Sequence, residues 1–110
     1  MNADFKQVGD TLVVRITGEL DMLVTDQLRQ AIDQRLDTAG IRTLVLNLEK
    51  VTFIDSSGLG VIIGRYKKVR AQQGRMYIVG ASPSVEKILH FSGINKLVPL
   101  YRSEKDVVSN

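Results

Sequence analysis

The segment Thr43–Leu48 (TLVLNL) constrains the fold of this chain most. Five of its six residues are apolar or β-branched, the density of an inner strand covered on both faces. Around it, strand-like and helix-like runs alternate. Phe5–Val8 and Thr11–Thr17 read as two short strands joined by a Gly9-Asp10 turn, a hairpin signal. Gly18 breaks the second run. Asp21 and Thr25 are both suitable N-caps for a helix reaching about Thr38, with Val24, Leu28, Ala31, Ile32 and Leu36 at helical spacing. Arg29, Asp33 and Asp37 fall on its wet side, and Gly40 suits a C-terminal stop. After the inner strand, Asp55-Ser56-Ser57-Gly58 is a cap signal for a helix to about Gln72. Met76–Val79 reads as a strand. Ser82-Pro83 starts a helix that Gly93 ends. Leu97–Tyr101 reads as a last strand, and Ser103–Asn110 as a short final helix. Helix-linked strands pair largely in parallel, and the opening hairpin adds an antiparallel edge. The prediction is an α/β fold: a mixed sheet of about five strands, with about four helices packed on it by right-handed crossovers.

The 110 residues make one domain, 1–110, with no room for a second core. A content of 44% hydrophobic and 25% charged residues excludes a disordered or fibrous chain. The absence of cysteine excludes a disulfide scaffold, a thiolate metal site and a cysteine nucleophile. One histidine, His90, excludes a multi-histidine metal site. No apolar run is long enough to span a bilayer, and Met1–Lys6 lacks the pattern of a signal peptide, so the cytoplasm is the expected compartment. A net charge of +3 is too mild to announce nucleic acid.

Enzyme chemistry finds little support. Ser56 lies outside any Gly-x-Ser-x-Gly elbow. The one available base, His90, is displaced by ~140° from the inward Val85 on its helix, which reads as a surface histidine. Gly58, Gly60 and Gly64 miss the dinucleotide spacing by one residue, and no P-loop lysine follows; close packing and a tight turn explain them. The basic run Arg65, Lys67, Lys68 and Arg70 ends its helix, where the dipole favours cations, and reads as a solvated face.

The serine loop, Phe53 to Gly60, carries the most information. Two adjacent hydroxyls sit where an inner strand hands over to a helix. Asp55 or Ser56 as a simple helix cap explains much of it. A helical projection places Leu59, Ile62, Ile63 and Tyr66 inward with Val69 at the edge, and Ser57, Val61, Gly64 and Lys68 outward. An outer stripe of small and apolar residues beside positive charge suits docking by another protein, and Ser56 stands at its rim.

The chain resembles STAS domains, and among them the bacterial anti-sigma factor antagonists. The matching residues are Gly18-Glu19-Leu20-Asp21, Leu44-Val45-Leu46-Asn47-Leu48, the block from Asp55 to Lys67, Ser82-Pro83, and Phe91-Ser92-Gly93. The resemblance implies a partner-switching role rather than catalysis. The unphosphorylated antagonist binds an anti-sigma factor that is a serine kinase and displaces the sigma factor, the sporulation sigma-F by resemblance. The kinase modifies the serine after the aspartate, here Ser56, and a serine phosphatase restores it. ATP or ADP belongs to the kinase, so the domain needs no cofactor. Asp21, Asp55, Ser57, Gly58, Val61 and Arg65 are the expected partner-binding residues, on a chain expected to be monomeric when free. Neither nucleic acid nor a membrane is an expected partner. The alternative is a STAS scaffold or a nucleotide or small-ligand sensor.

Overall fold

A computed structural model describes residues 2–38 and 40–108. Met1, and Ser109 and Asn110 at the end of the expected final helix, lie outside the described residues. The elements run β1 (Ala3–Val8), β2 (Thr11–Leu20), α1 (Thr25–Thr38), β3 (Thr43–Ile54), α2 (Ser56–Ala71), β4 (Arg75–Val79), α3 (Pro83–Ser92), a 3-10 turn (Ile94–Lys96), β5 (Leu100–Tyr101) and α4 (Glu104–Val108). The sheet has five strands in the order β1-β2-β3-β4-β5. β1 pairs antiparallel with β2, and all later pairs are parallel. This is the mixed α/β architecture expected from the sequence.

Strand alternation divides the core between two faces. Leu12, Val14 and Ile16 of β2, Leu44, Leu46 and Leu48 of β3, and Met76 and Ile78 of β4 form the main face. Leu28, Ile32 and Leu36 of α1, Ile62 and Val69 of α2, and Val85 and Leu89 of α3 pack onto it. Val13, Val45 and Val79 point the other way, where Val107 of α4 and Tyr77 meet them. The inner strand is thus covered on both sides, as its composition requires.

α4 is fastened by charge as well as by Val107. Glu104 accepts from Arg15 at 2.7 and 2.8 Å and from Asn47 at 2.7 Å. The Arg15 hydrogen bond, helped by Asn47, holds the Glu104 carboxyl down at about 2. A depressed carboxyl contributes stability that is complete above its ordinary value, near 4.5, and is lost as pH falls towards 2. The Arg15 side chain is 45% exposed, so solvent screening keeps the contribution small. Glu104→Gln is expected to flatten the fall in urea stability between pH 5 and pH 3; an unchanged pH slope would show that the pair contributes nothing.

Three elements depart from the sequence reading. β2 continues through Gly18 to Leu20, because Gly18 adopts a positive φ of 99° at a register irregularity against β3. β3 likewise continues past Leu48 to Ile54, pairing Thr17–Leu20 with Lys50–Ile54. β5 is confined to Leu100–Tyr101, because the 3-10 turn takes up the chain before it and Pro99 has no N–H to give to a ladder.

The largest correction concerns α2. Its buried residues are Gly58, Val61, Ile62, Arg65 and Val69, whereas Leu59, Ile63 and Tyr66 are only partly buried at the core margin. Val61 is 7% exposed, not on an outer stripe, and Arg65 is 7% exposed. Arg65 Nε lies 2.9 Å from Asp33 Oδ1 of α1, and Lys68 Nζ lies 2.8 Å from Asp37 Oδ1. Asp33 and Asp37 therefore do not simply face solvent, and half of the basic run is spent on joining α1 to α2. Burial pushes the Arg65 guanidinium below its usual value, and Asp33 opposes the shift. Removing one partner of such a pair leaves the other uncompensated. Asp33→Ala is expected to cost about 1–3 kcal/mol in urea unfolding, with the loss largely relieved when Arg65→Met is added.

Candidate functional site

The ends of β2 and β3 lie side by side, with Leu20 in register with Ile54. The chain then turns into α1 from one strand and into α2 from the other. The Asp55 N–H donates to Leu20 O at 3.1 Å, which ties the two turns together. Gly58 makes their close approach possible: a Cβ there would stand 2.5 Å from Leu20 O and 2.8 Å from Ile54 Cγ2. Gly58, expected at the partner interface, is thus buried and sets the spacing of the two loops. Gly60 and Gly64 have open space where a Cβ would be, so close packing within this chain does not explain them.

Asp55 is the N-cap of α2. Its Oδ1 accepts from Gly58 N at 3.0 Å and from Ser57 Oγ at 2.6 Å. The Ser57 hydroxyl, followed by the Gly58 N–H, holds the Asp55 carboxyl below its ordinary range, and the N–H groups of Ser57 and Met22 add to this. Asp55 is therefore ionised at neutral pH and occupied within the chain. Asp21 organises the neighbouring turn: its Oδ1 accepts from Leu23 N at 3.0 Å, and its carbonyl accepts from Val24 and Thr25 N–H at 3.1 Å.

The two serines differ. Ser57 is half-buried and its hydroxyl proton is committed to Asp55. Ser56, the first residue of α2, is exposed, and its hydroxyl has no hydrogen-bond partner among the described residues. The sequence brings Asp21, Asp55, Ser56, Ser57 and Gly58 together as expected. Val61 and Arg65 belong to the packed side of the helix. The sequence reading did not single out Met22 and Leu23, which are 75% and 83% exposed in the turn after Asp21. Their signal was an apolar pair between a strand end and a helix cap.

His90 is exposed on α3, far along the chain from either serine, and pairs with Glu86 at 3.6 Å. Among the described residues, no group of three or more acidic, histidine or cysteine side chains could hold a metal ion. No described helix is long and apolar enough to cross a membrane.

A family model for the STAS domain matches residues 2–107. The chain belongs to the STAS family. It is 38% identical over 98 residues to the anti-sigma F factor antagonist of Paenibacillus polymyxa, across 89% of this STAS chain and 84% of that one. Its structure is similar to that of the anti-sigma factor antagonist SpoIIAA in its unphosphorylated form, with a TM-score of 0.86 and 31% identity over 96% of this chain and 92% of the other. It is also similar to the Bacillus cell fate determinant SpoIIAA in the phosphorylated form, with a TM-score of 0.78 and 30% identity over 97% and 96%.

Proposed function

We propose that this STAS domain is an anti-sigma factor antagonist switched by phosphorylation of Ser56. Unmodified, it binds an anti-sigma factor that is also a serine kinase, and so releases the sigma factor. The Paenibacillus polymyxa relative, an anti-sigma F factor antagonist, supports sigma-F. The kinase transfers the γ-phosphoryl group of ATP to Ser56 Oγ: the new O–P bond forms as the bond to ADP breaks, and the hydroxyl proton passes to a base on the kinase. A serine phosphatase hydrolyses the product. The domain acts in the cytoplasm as a binding protein, not an enzyme, monomeric when free and without a cofactor of its own.

The observation that carries this reading is the contrast between the serines. An exposed hydroxyl with no internal bond sits next to one locked onto Asp55 at 2.6 Å. Only the first can enter a kinase site without giving up a hydrogen bond made inside the chain. Phosphate adds about −1.5 to −2 charges, and at a helix N-terminus that charge is locally favoured by roughly 0.3–1 kcal/mol. The fold therefore tolerates the modification while a docked protein does not: a dianion at a desolvated interface beside Asp55 and Asp21 meets both bulk and repulsion.

The test mixes the purified chain with an anti-sigma factor kinase and ADP or ATP, following the complex by size exclusion and the modification by peptide mass. A stable complex with ADP, and phosphate on the peptide containing Ser56 with ATP, are expected. Failure of the unmodified chain to bind would overturn the reading.

A further inference from the structure

The strongest unassigned feature is the tip of the β2–α1 turn. Met22 and Leu23 are 75% and 83% exposed, adjacent in sequence and apolar. Single exposed apolar residues are ordinary; a neighbouring pair on a turn with fixed geometry is not. The turn is fixed from both sides. Asp21 holds Leu23 N through its side chain at 3.0 Å and Val24 and Thr25 N through its carbonyl. On the other side, the Asp55 N–H is bonded to Leu20 O at 3.1 Å. Gly58 locks the same two segments at a spacing that leaves no room for a Cβ. The two apolar side chains are thus held at a set distance from the helix start that carries Ser56. The neighbouring acidic groups, Asp21 and Asp55, each accept hydrogen bonds from within the chain, and the apolar pair is the most exposed part of the turn.

We propose that Met22 and Leu23 form the apolar anchor of the docking surface, inserting into a nonpolar pocket of the anti-sigma factor that borders the groove receiving Ser56. This rests on the proposed function and identifies what the partner must present: an apolar pocket, not a basic one, beside its phosphate-transfer site. Preorganisation matters because an anchor already held in place loses little conformational entropy on binding. Continuity with Ser56 selects the occupant. Both loops are tied through Asp55, so a partner whose active site reaches Ser56 also covers the tip. The anchor and the switch are therefore parts of one interface: the apolar pair supplies affinity, and the Ser56 hydroxyl reports whether the site is free for charge.

The test uses Met22→Ser/Leu23→Ser in the full chain, with Leu23→Met as the conservative variant, titrated against the anti-sigma factor kinase in ADP. The double variant is expected to bind roughly 10–100-fold more weakly, the range for losing the burial of one or two apolar side chains, and Leu23→Met to bind within about threefold of the unmodified sequence. Thermal midpoints should stay level, because both side chains are exposed in the free chain. Equal affinity of the double variant would overturn the anchor while leaving the switch at Ser56 standing. Absence of binding by the unmodified sequence would instead overturn the proposed function. A free chain that sediments as a dimer, and becomes a monomer in the double variant, would assign the tip to a second copy and overturn the proposal.

Discussion

Gly58→Ala is expected to destabilise the fold by about 2–3 kcal/mol, whereas Gly60→Ala, two residues along the same helix, is expected to stabilise it by up to about 1 kcal/mol. Both substitutions bring the same gain in helix propensity, so their difference isolates packing. At Gly58 the added Cβ would meet Leu20 O at 2.5 Å and Ile54 Cγ2 at 2.8 Å. The carbonyl cannot turn away, because it accepts the Asp55 N–H. Relief requires α2 to withdraw from the end of β2, which opens the core over Ile62. At Gly60 the same methyl meets nothing within 4 Å. Urea unfolding of the two variants checks this, and shifts of the same sign and size would show that Gly58 does not set the spacing of the site.

With an anti-sigma factor kinase and ATP, Ser56→Ala is expected to take up no phosphate, and Ser57→Ala to remain a substrate. The difference follows from hydrogen bonding rather than position in the sequence. Ser57 already gives its proton to Asp55, and moving it into a kinase site would give up that bond. Ser56 has no such commitment. Ser56→Ala should therefore bind the kinase and escape inactivation. Ser56→Asp should bind about 100-fold more weakly or worse, since one carboxylate carries less charge and fewer oxygens than phosphate. Amide spectra should show shifts confined to the Asp21 turn and the first turns of α2, because a helix N-terminus accommodates the charge. Shifts spread across the sheet would instead mean that modification refolds the domain. Stoichiometric phosphate on Ser56→Ala would move the site to Ser57.

Much of the fold is legible in the sequence because strand and helix periods alternate cleanly around TLVLNL. Asp55 as a cap, Ser82-Pro83 as a helix start and Gly93 as a left-handed stop, φ 84°, are local signals that survive into the structure. The orientation of α2 is not legible, for a physical reason. Leu59, Val61, Ile62 and Ile63 are apolar on nearly every side, so hydrophobicity alone does not choose a face. The choice is made by a glycine small enough to meet Leu20 and by an arginine neutralised across the helix pair by Asp33. Neither partner can be read from α2 itself. The same limit hides Met22 and Leu23: an apolar pair looks like core until the turn that exposes it is known. Asp55 as the cap, in contrast, is readable because its partners Ser57 and Gly58 lie within four residues of chain.

Affinity of one anti-sigma factor kinase for the same chain with and without phosphate on Ser56, measured by calorimetric titration in ADP, bears most directly on whether this hydroxyl governs docking. A loss of roughly a thousandfold on phosphorylation, about 4 kcal/mol, is the expected result, with the modified chain still folded. Equal affinities for the two forms would contradict it.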